Sequence, residues 1–126
     1  SLDNYFKLRN MKITHFGVFS NERMNYPEIA FKVSEAVMSD DFDSGILICG
    51  TGIGMSIAAN RIPGARAALC HDQTTARLSR EHNNSNVLVL GARATASEEA
   101  IKILNAWLST SFEGGRHLNR VEMIDN

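Results

Sequence analysis

The sequence predicts an α/β fold: a three-layer, doubly wound parallel sheet with helices on both faces. Three observations carry that prediction. Short runs of apolar residues, Ile46–Ile48 and Val87–Leu90, read as strands buried on both sides, as a parallel sheet requires. Before the first and after the second, apolar residues recur every three or four positions, the period of an amphipathic helix. Clusters of Gly, Pro and Asn mark the changes from one pattern to the other. With 126 residues the chain makes one domain, residues 1–126, large enough for a core without disulfide staples.

The elements follow in order. Residues 1–10 read as the second half of a helix, with Leu2, Tyr5, Phe6 and Leu8 on or near one face. Met11 to Phe16 alternates as a strand does, Gly17 closes it, and Ser20 to Asn25 is a polar loop. Pro27 suits the first position of a helix whose buried stripe is Ile29, Ala30, Val33, Ala36 and Val37. Asp40 to Ser44 turns into the strand expected at the centre of the sheet, ending at Cys49. A glycine loop and a short helix over Met55–Asn60 come next, then a turn at Pro63-Gly64 and a short buried strand, Ala65–Leu69. Asp72 caps a helix reaching about Glu81, and Asn83 to Asn86 is a loop. Gly91 closes the Val87–Leu90 strand. Ser97 begins a helix with Ala100, Ile101, Leu104, Trp107 and Leu108 inside. Gly114-Gly115 breaks the chain before a last helix or arm, Arg116 to Asp125.

Composition narrows the function. A formal charge of −1 argues against a nucleic-acid surface or an anionic membrane as partner. Nine Arg against four Lys favours forked recognition of phosphate or carboxylate, although solvated helix faces account for most of them. Cys49 and Cys70 lie at strand ends. No apolar signal segment opens the chain and no run is long enough to cross a bilayer, so we read both thiols as reduced and expect a cytoplasmic protein.

The chemistry gathers at Ile46–Asn60. Strand, glycine turn and helix start aim backbone N–H groups at one point, with the Cys49 thiol beside it. A free thiol has a pKa of roughly 8.5, and a bank of N–H donors lowers it. Such a thiolate serves as a nucleophile or as a base for a carbon-bound proton; the plainer alternative is a small apolar strand end. Each well-placed loop donor lowers the barrier to an oxyanion by about 3–4 kcal/mol. Gly50-Thr51-Gly52-Ile53-Gly54 is not a dinucleotide fingerprint, because the third glycine comes one residue early, and no Gly-Lys-Ser/Thr makes it a Walker loop. A phosphatase loop of the form Cys-x₅-Arg needs Arg where Met55 stands, which argues against phosphoryl transfer through Cys49. His82 falls where a helix ends near the start of a strand, a position for a C-terminal cap or a proton carrier. Arg116 and Arg120 share a helix face beside His117, an arrangement suited to a phosphate or to solvent.

Taken together, Gly45–Asn60, Arg66-Ala67-Ala68, Glu81-His82-Asn83 and Gly114-Gly115-Arg116-His117 resemble the ribose-5-phosphate isomerase B family, whose members include galactose-6-phosphate and allose-6-phosphate isomerases. The likeness runs from about Met11 to the C-terminus and takes in Glu22-Arg23 and Tyr26-Pro27. It implies a Rossmann-like fold and an aldose–ketose isomerase that works through an enediolate with no metal and no cofactor. Cys49 would be the base between C1 and C2, and Thr51 would assist proton transfer at a substrate oxygen. The Gly50, Gly52 and Gly54 amides would hold the enediolate oxygens, with Ser56 near the loop. His82 would open the furanose ring, Asn83 would hold a substrate oxygen and Tyr26 would line the sugar site. Arg116, His117 and Arg120 would grip the phosphate. The resemblance also implies a homodimer or a dimer of dimers with each site shared between subunits.

Retention of Cys49 and the Gly-Gly-Arg-His stretch favour ribose 5-phosphate over six-carbon 6-phosphates of the allose or galactose type. Members of that family begin with a strand ending in an Asp-His pair, and this chain starts after it. The expectation is therefore a sheet that lacks the family's first strand, through an omitted segment or a misassigned start. The alternative is a sugar-phosphate-binding protein inactive for want of that strand.

Overall fold

The computed structural model describes Tyr5, Leu8, Thr14 and residues 25–126. Helix α1 (Tyr26–Met38) begins one residue before Pro27, with Asn25 as N-cap. Then come β1 (Gly45–Cys49), α2 (Ile53–Ala59), β2 (Ala67–Leu69), α3 (Gln73–Asn83), β3 (Val87–Gly91), α4 (Ser97–Ser109) and α5 (Arg116–Asp125). Among the described strands the order is β1-β3-β2, and both pairings are parallel. The expected doubly wound parallel sheet is what forms.

Handedness explains the winding. The chain steps from β1 across the place of β3 to β2 and then back to β3, so successive right-handed crossovers put α2 and α3 on opposite faces. Strand β3 is buried throughout and serves both faces. Val87 and Val89 pack with Leu47, Met55, Ala59, Ala30 and Val33 under α1 and α2. Leu88 and Leu90 pack with Cys70, Ala76, Ile103, Leu104 and Trp107 under α3 and α4.

Several local expectations shift. Strand β3, not β1, lies between the other two described strands. Strand β1 is not buried on both faces: Leu47 is 2% exposed but Ile48 is 45% exposed. An edge among the described strands alternates where a middle strand does not. Strand β2 is shorter than Ala65–Leu69 and only half-buried. Helix α2 starts at Ile53, two residues before Met55, because Gly52 takes the left-handed conformation that opens it. Ile29 and Ala36 are only half-buried, and Ser34 takes a buried place in α1. In α4, Ile103 belongs to the buried face that Ala100, Ile101 and Leu108 only border. Tyr5 is helical and buried, its hydroxyl 3.1 Å from Asn105 Oδ1, but Leu8 is helical and 84% exposed. Thr14 carries no regular structure; the rest of the Met11–Phe16 strand and the Ser20–Met24 loop lie outside the described residues.

The Asp72 cap is present in full. Its carboxylate accepts the Thr75 N–H at 2.7 Å, and the Thr75 hydroxyl faces back to the Asp72 N–H. On the far side of α3, Ser79 and Ser85 hydroxyls meet at 2.9 Å, and the Trp107 indole N–H donates to Ser85 Oγ at 2.7 Å. This polar contact links α3, the β3 approach and α4 inside the apolar core. Trp107→Ala should lower stability by about 3–5 kcal/mol, through lost packing and a cavity. Trp107→Phe should cost only about 1–3 kcal/mol, since the two serines still pair. Urea midpoints read both; a silent Trp107→Phe would show that the indole hydrogen bond contributes nothing.

Candidate active site

The predicted site residues fall at two edges of the sheet. At the C-terminal edge, Cys49 ends β1 half-buried and without a disulfide. The loop after it packs against the turn after β3: Ala92 N–H donates to Cys49 O at 2.7 Å and Arg93 N–H to Gly50 O at 2.8 Å. Gly52 has φ +81°, and a Cβ there would lie 2.5 Å from Leu69 Cδ1. A Cβ on Gly91 would collide with the Thr51 carbonyl. Together these contacts fix the loop against β2 and the turn after β3.

Within that loop, Thr51 Oγ1 accepts the Ile53 N–H at 3.3 Å, and Ser56 Oγ donates to Ile53 O at 2.8 Å. The first intrahelical bond of α2 runs from Ser56 N–H to Gly52 O, so the Gly54 and Met55 amides precede it, where a helix leaves donors without intrahelical partners. The ring and hydroxyl of Tyr26 lie against Gly54, 2.6 Å from where a Cβ would stand. Tyr26 thus packs on the loop that carries Gly50, Thr51, Gly52, Gly54 and Ser56 and that follows Cys49 in the chain. Cys70 is a different case. Burial pushes its thiol pKa up, keeping it protonated.

At the N-terminal edge, His82 and Asn83 are the last two residues of α3. His82 stacks on His117 of α5, ring centroids 4.3 Å apart. Glu113 Oε1 lies 3.6 Å from His117 Nε2 and 3.8 Å from His82 Nε2. Helix α5 is tied down at its far end by Asp125, whose carboxylate oxygens both lie 2.8 Å from one Arg66 nitrogen. Arg66 Nε also donates to Asn84 O at 3.0 Å. Arg116 and Arg120 are exposed one turn apart on α5, and neither makes an ion pair among the described residues.

One chain does not bring the two groups together. Parallel strands force each connecting helix to run the opposite way, so Cys49 and Asn83 stand at opposite ends of the strands. A five-residue strand and an eleven-residue helix each span roughly 15 Å. A groove of about 160 Å³ at the C-terminal edge, lined by Ile48, Leu90, Gly91, Thr95 and Ile101 among others, does not include Cys49.

Two charged residues at these edges escape the sequence reading. Arg93 lies over Gly50, its Nε 3.3 Å from where a Cβ would stand, and adds positive charge to the glycine loop. Its place just past a strand's C-terminal end in an α/β sheet was the available signal. Glu113 stands beside the Gly-Gly break, and only the docking of 110–115 against α3 brings it to His82.

Comparison with known proteins finds relatives over most of the chain. A profile of the family described as Ribose/Galactose Isomerase matches residues 1–124. Ribose-5-phosphate isomerase B of Escherichia coli K12 is 48% identical over 116 residues, covering 92% of this chain and 78% of that protein. The structure of Clostridium thermocellum ribose-5-phosphate isomerase B superposes with TM-score 0.96 at 47% identity, covering 98% of this chain and 84% of that one. That of the Mycoplasma genitalium enzyme, with bound ribulose-5-phosphate, superposes with TM-score 0.91 at 40% identity, covering 97% and 82%.

His117 carries a pH signature. Burial first, then the neighbouring His82 and Arg116, lower the His117 pKa from the ordinary 6.5, against a smaller opposing pull from Glu113. The unfolded chain therefore binds this proton more readily than the folded one. The contribution is present above about pH 6.5 and is lost as pH falls through the lower folded value. Proton NMR should show His117 titrating below 6.5, and Glu113→Gln should lower it further. An upward move in that variant would contradict the role given to the carboxylate.

Proposed function

This chain belongs to the ribose/galactose isomerase family, and we infer from that membership and from the two edges of the sheet that it is an aldose–ketose isomerase. It interconverts ribose 5-phosphate and ribulose 5-phosphate. The observation that carries the chemistry is a half-buried free thiol at the end of β1, beside a glycine loop.

In this reading the Cys49 thiolate takes the proton from C2 of the open-chain aldose. The C–H electron pair becomes the C1–C2 double bond, and the carbonyl pair moves onto O1. Amides of Gly50, Gly52 and Gly54 stabilise the resulting enediolate, an arrangement worth about 3–4 kcal/mol of barrier for each aligned donor. Thr51 gives a proton to O1 and takes one from O2. Cys49 returns its proton to C1, leaving the ketone at C2. Tyr26 and Ser56 line the sugar. No step calls on a metal ion or a cofactor.

The remaining groups stand at the other edge. His82 moves the proton that opens the furanose ring, Asn83 holds a sugar oxygen, and Arg116, His117 and Arg120 hold the phosphate. Since one chain keeps these roughly 15 Å from its own Cys49, a second copy supplies them. Each site is then shared within a homodimer, or within a dimer of dimers. An isologous pair contains two such sites. No helix of the described residues is long and apolar enough to cross a membrane. A free Cys49 suits a reducing, cytoplasmic setting.

Cys49→Ala should reduce turnover by about 10²–10⁴-fold, with C2 proton exchange in heavy water lost alongside. Arg116→Ala should raise KM for the phosphosugar steeply. At substrate levels too low for either variant to turn over, the two proteins unfolded and refolded together should recover roughly a quarter of wild-type activity, because half the dimers carry one intact site. Full activity of Cys49→Ala would remove the assigned base. No recovery despite demonstrated subunit exchange would place the whole site within one copy.

A further inference from the structure

His82, Glu113 and His117 come from the end of α3, the 110–115 connection and the first turn of α5, yet they converge. One ligand atom from each lies within 4.8 Å of the other two. Their backbones are fixed as well. Glu113 N–H donates to Glu81 O at 3.1 Å, beside His82, and His117 N–H donates to Gly114 O at 3.0 Å. The ligand-bearing segments are thus held to one another before any ion arrives.

Zinc holds nitrogen and oxygen ligands at about 2.0–2.2 Å in tetrahedral geometry, which sets ligand atoms roughly 3.4 Å apart. The carboxylate oxygen stands 3.6 Å and 3.8 Å from the two imidazole nitrogens, so two of the three edges are nearly closed. The third closes by turning His82, which is 39% exposed, out of its stack with His117. Two imidazoles and one carboxylate suit a borderline divalent ion over calcium or magnesium, which prefer all-oxygen shells. Three protein ligands leave a fourth position open.

We propose that His82, Glu113 and His117 bind Zn²⁺, and that the bound ion switches the isomerase off. The switch rests on the isomerase reading above: an ion on these nitrogens takes the lone pair that His82 needs for ring opening and occupies the floor of the phosphate arm. The site itself rests only on the three ligands and their geometry. The ion here is an inhibitor, distinct from the proton-transfer chemistry at Cys49.

The test uses the full chain stripped with chelator and then titrated with CoCl₂ or ZnCl₂ in a non-coordinating buffer. One Co²⁺ per chain should produce visible d–d absorption without thiolate charge transfer. Cys49→Ala should bind equally well, which separates the trio from the thiol and needs no turnover. Glu113→Gln should weaken binding by roughly tenfold or more, and His117→Ala should do the same if circular dichroism shows it folded. Zn²⁺ should lower wild-type turnover at least tenfold in competition with the sugar phosphate, and chelator should restore it.

Absence of binding, or binding unchanged in Glu113→Gln, overturns the site. Loss of binding in Cys49→Ala overturns it too, by assigning the ion to sulfur. Binding at the trio with turnover intact overturns the switch. A chain that binds the ion but has no turnover to lose overturns the isomerase reading and the switch with it, while the site stands.

Discussion

Because β1, β2 and β3 all point the same way, every helix between them must run back, and that constraint decides what one chain can do. It sends the start of α1, the glycine loop and the turn after β3 to one edge of the sheet. It sends the end of α3 and the whole of α5 to the other. A thiol with oxyanion donors stands at the first edge. Imidazoles and an arginine pair suited to a phosphate stand at the second. Within one chain the two groups stand at opposite ends of the strands.

Each edge is stiffened by contacts that have little to do with overall stability. At the C-terminal edge the loop is clamped between Leu69, Gly91 and Tyr26, and two backbone hydrogen bonds join it to residues 92 and 93. That clamp requires glycine at positions 52 and 91, since a side chain at either would strike its neighbours. At the N-terminal edge the Arg66–Asp125 pair does comparable work. Ion pairs this exposed contribute roughly 0–1 kcal/mol. Arg66, however, also binds the Asn84 and Gly64 carbonyls, so the pair fixes where α5 lies. Position, not energy, is what these contacts supply to the residues at the site.

The histidine stack shows how far packing can change the meaning of a residue. His82 and His117 are 35 positions apart, and nothing in their local patterns pairs them. Docking of 110–115 against α3 brings the Glu113 carboxylate near one nitrogen of each ring. Burial and neighbouring cations then hold His117 below its ordinary pKa. The result is a compact set of donor atoms at the N-terminal edge of the sheet.

The sequence by itself determined the α/β class, the parallel winding, nearly every described element and the identity of the thiol and its glycine loop. Those features are written in short-range periodicity and turn chemistry, which act through neighbours along the chain. The Asp72–Thr75 cap and the Gly114-Gly115 break were legible for the same reason. The strand order, the exposure of Ile48, the contact of Arg93 with Gly50 and the meeting of Glu113 with two histidines were decided only by the tertiary structure. Each depends on which residues distant in sequence are pressed together when both faces of the sheet are covered, and no local pattern encodes that.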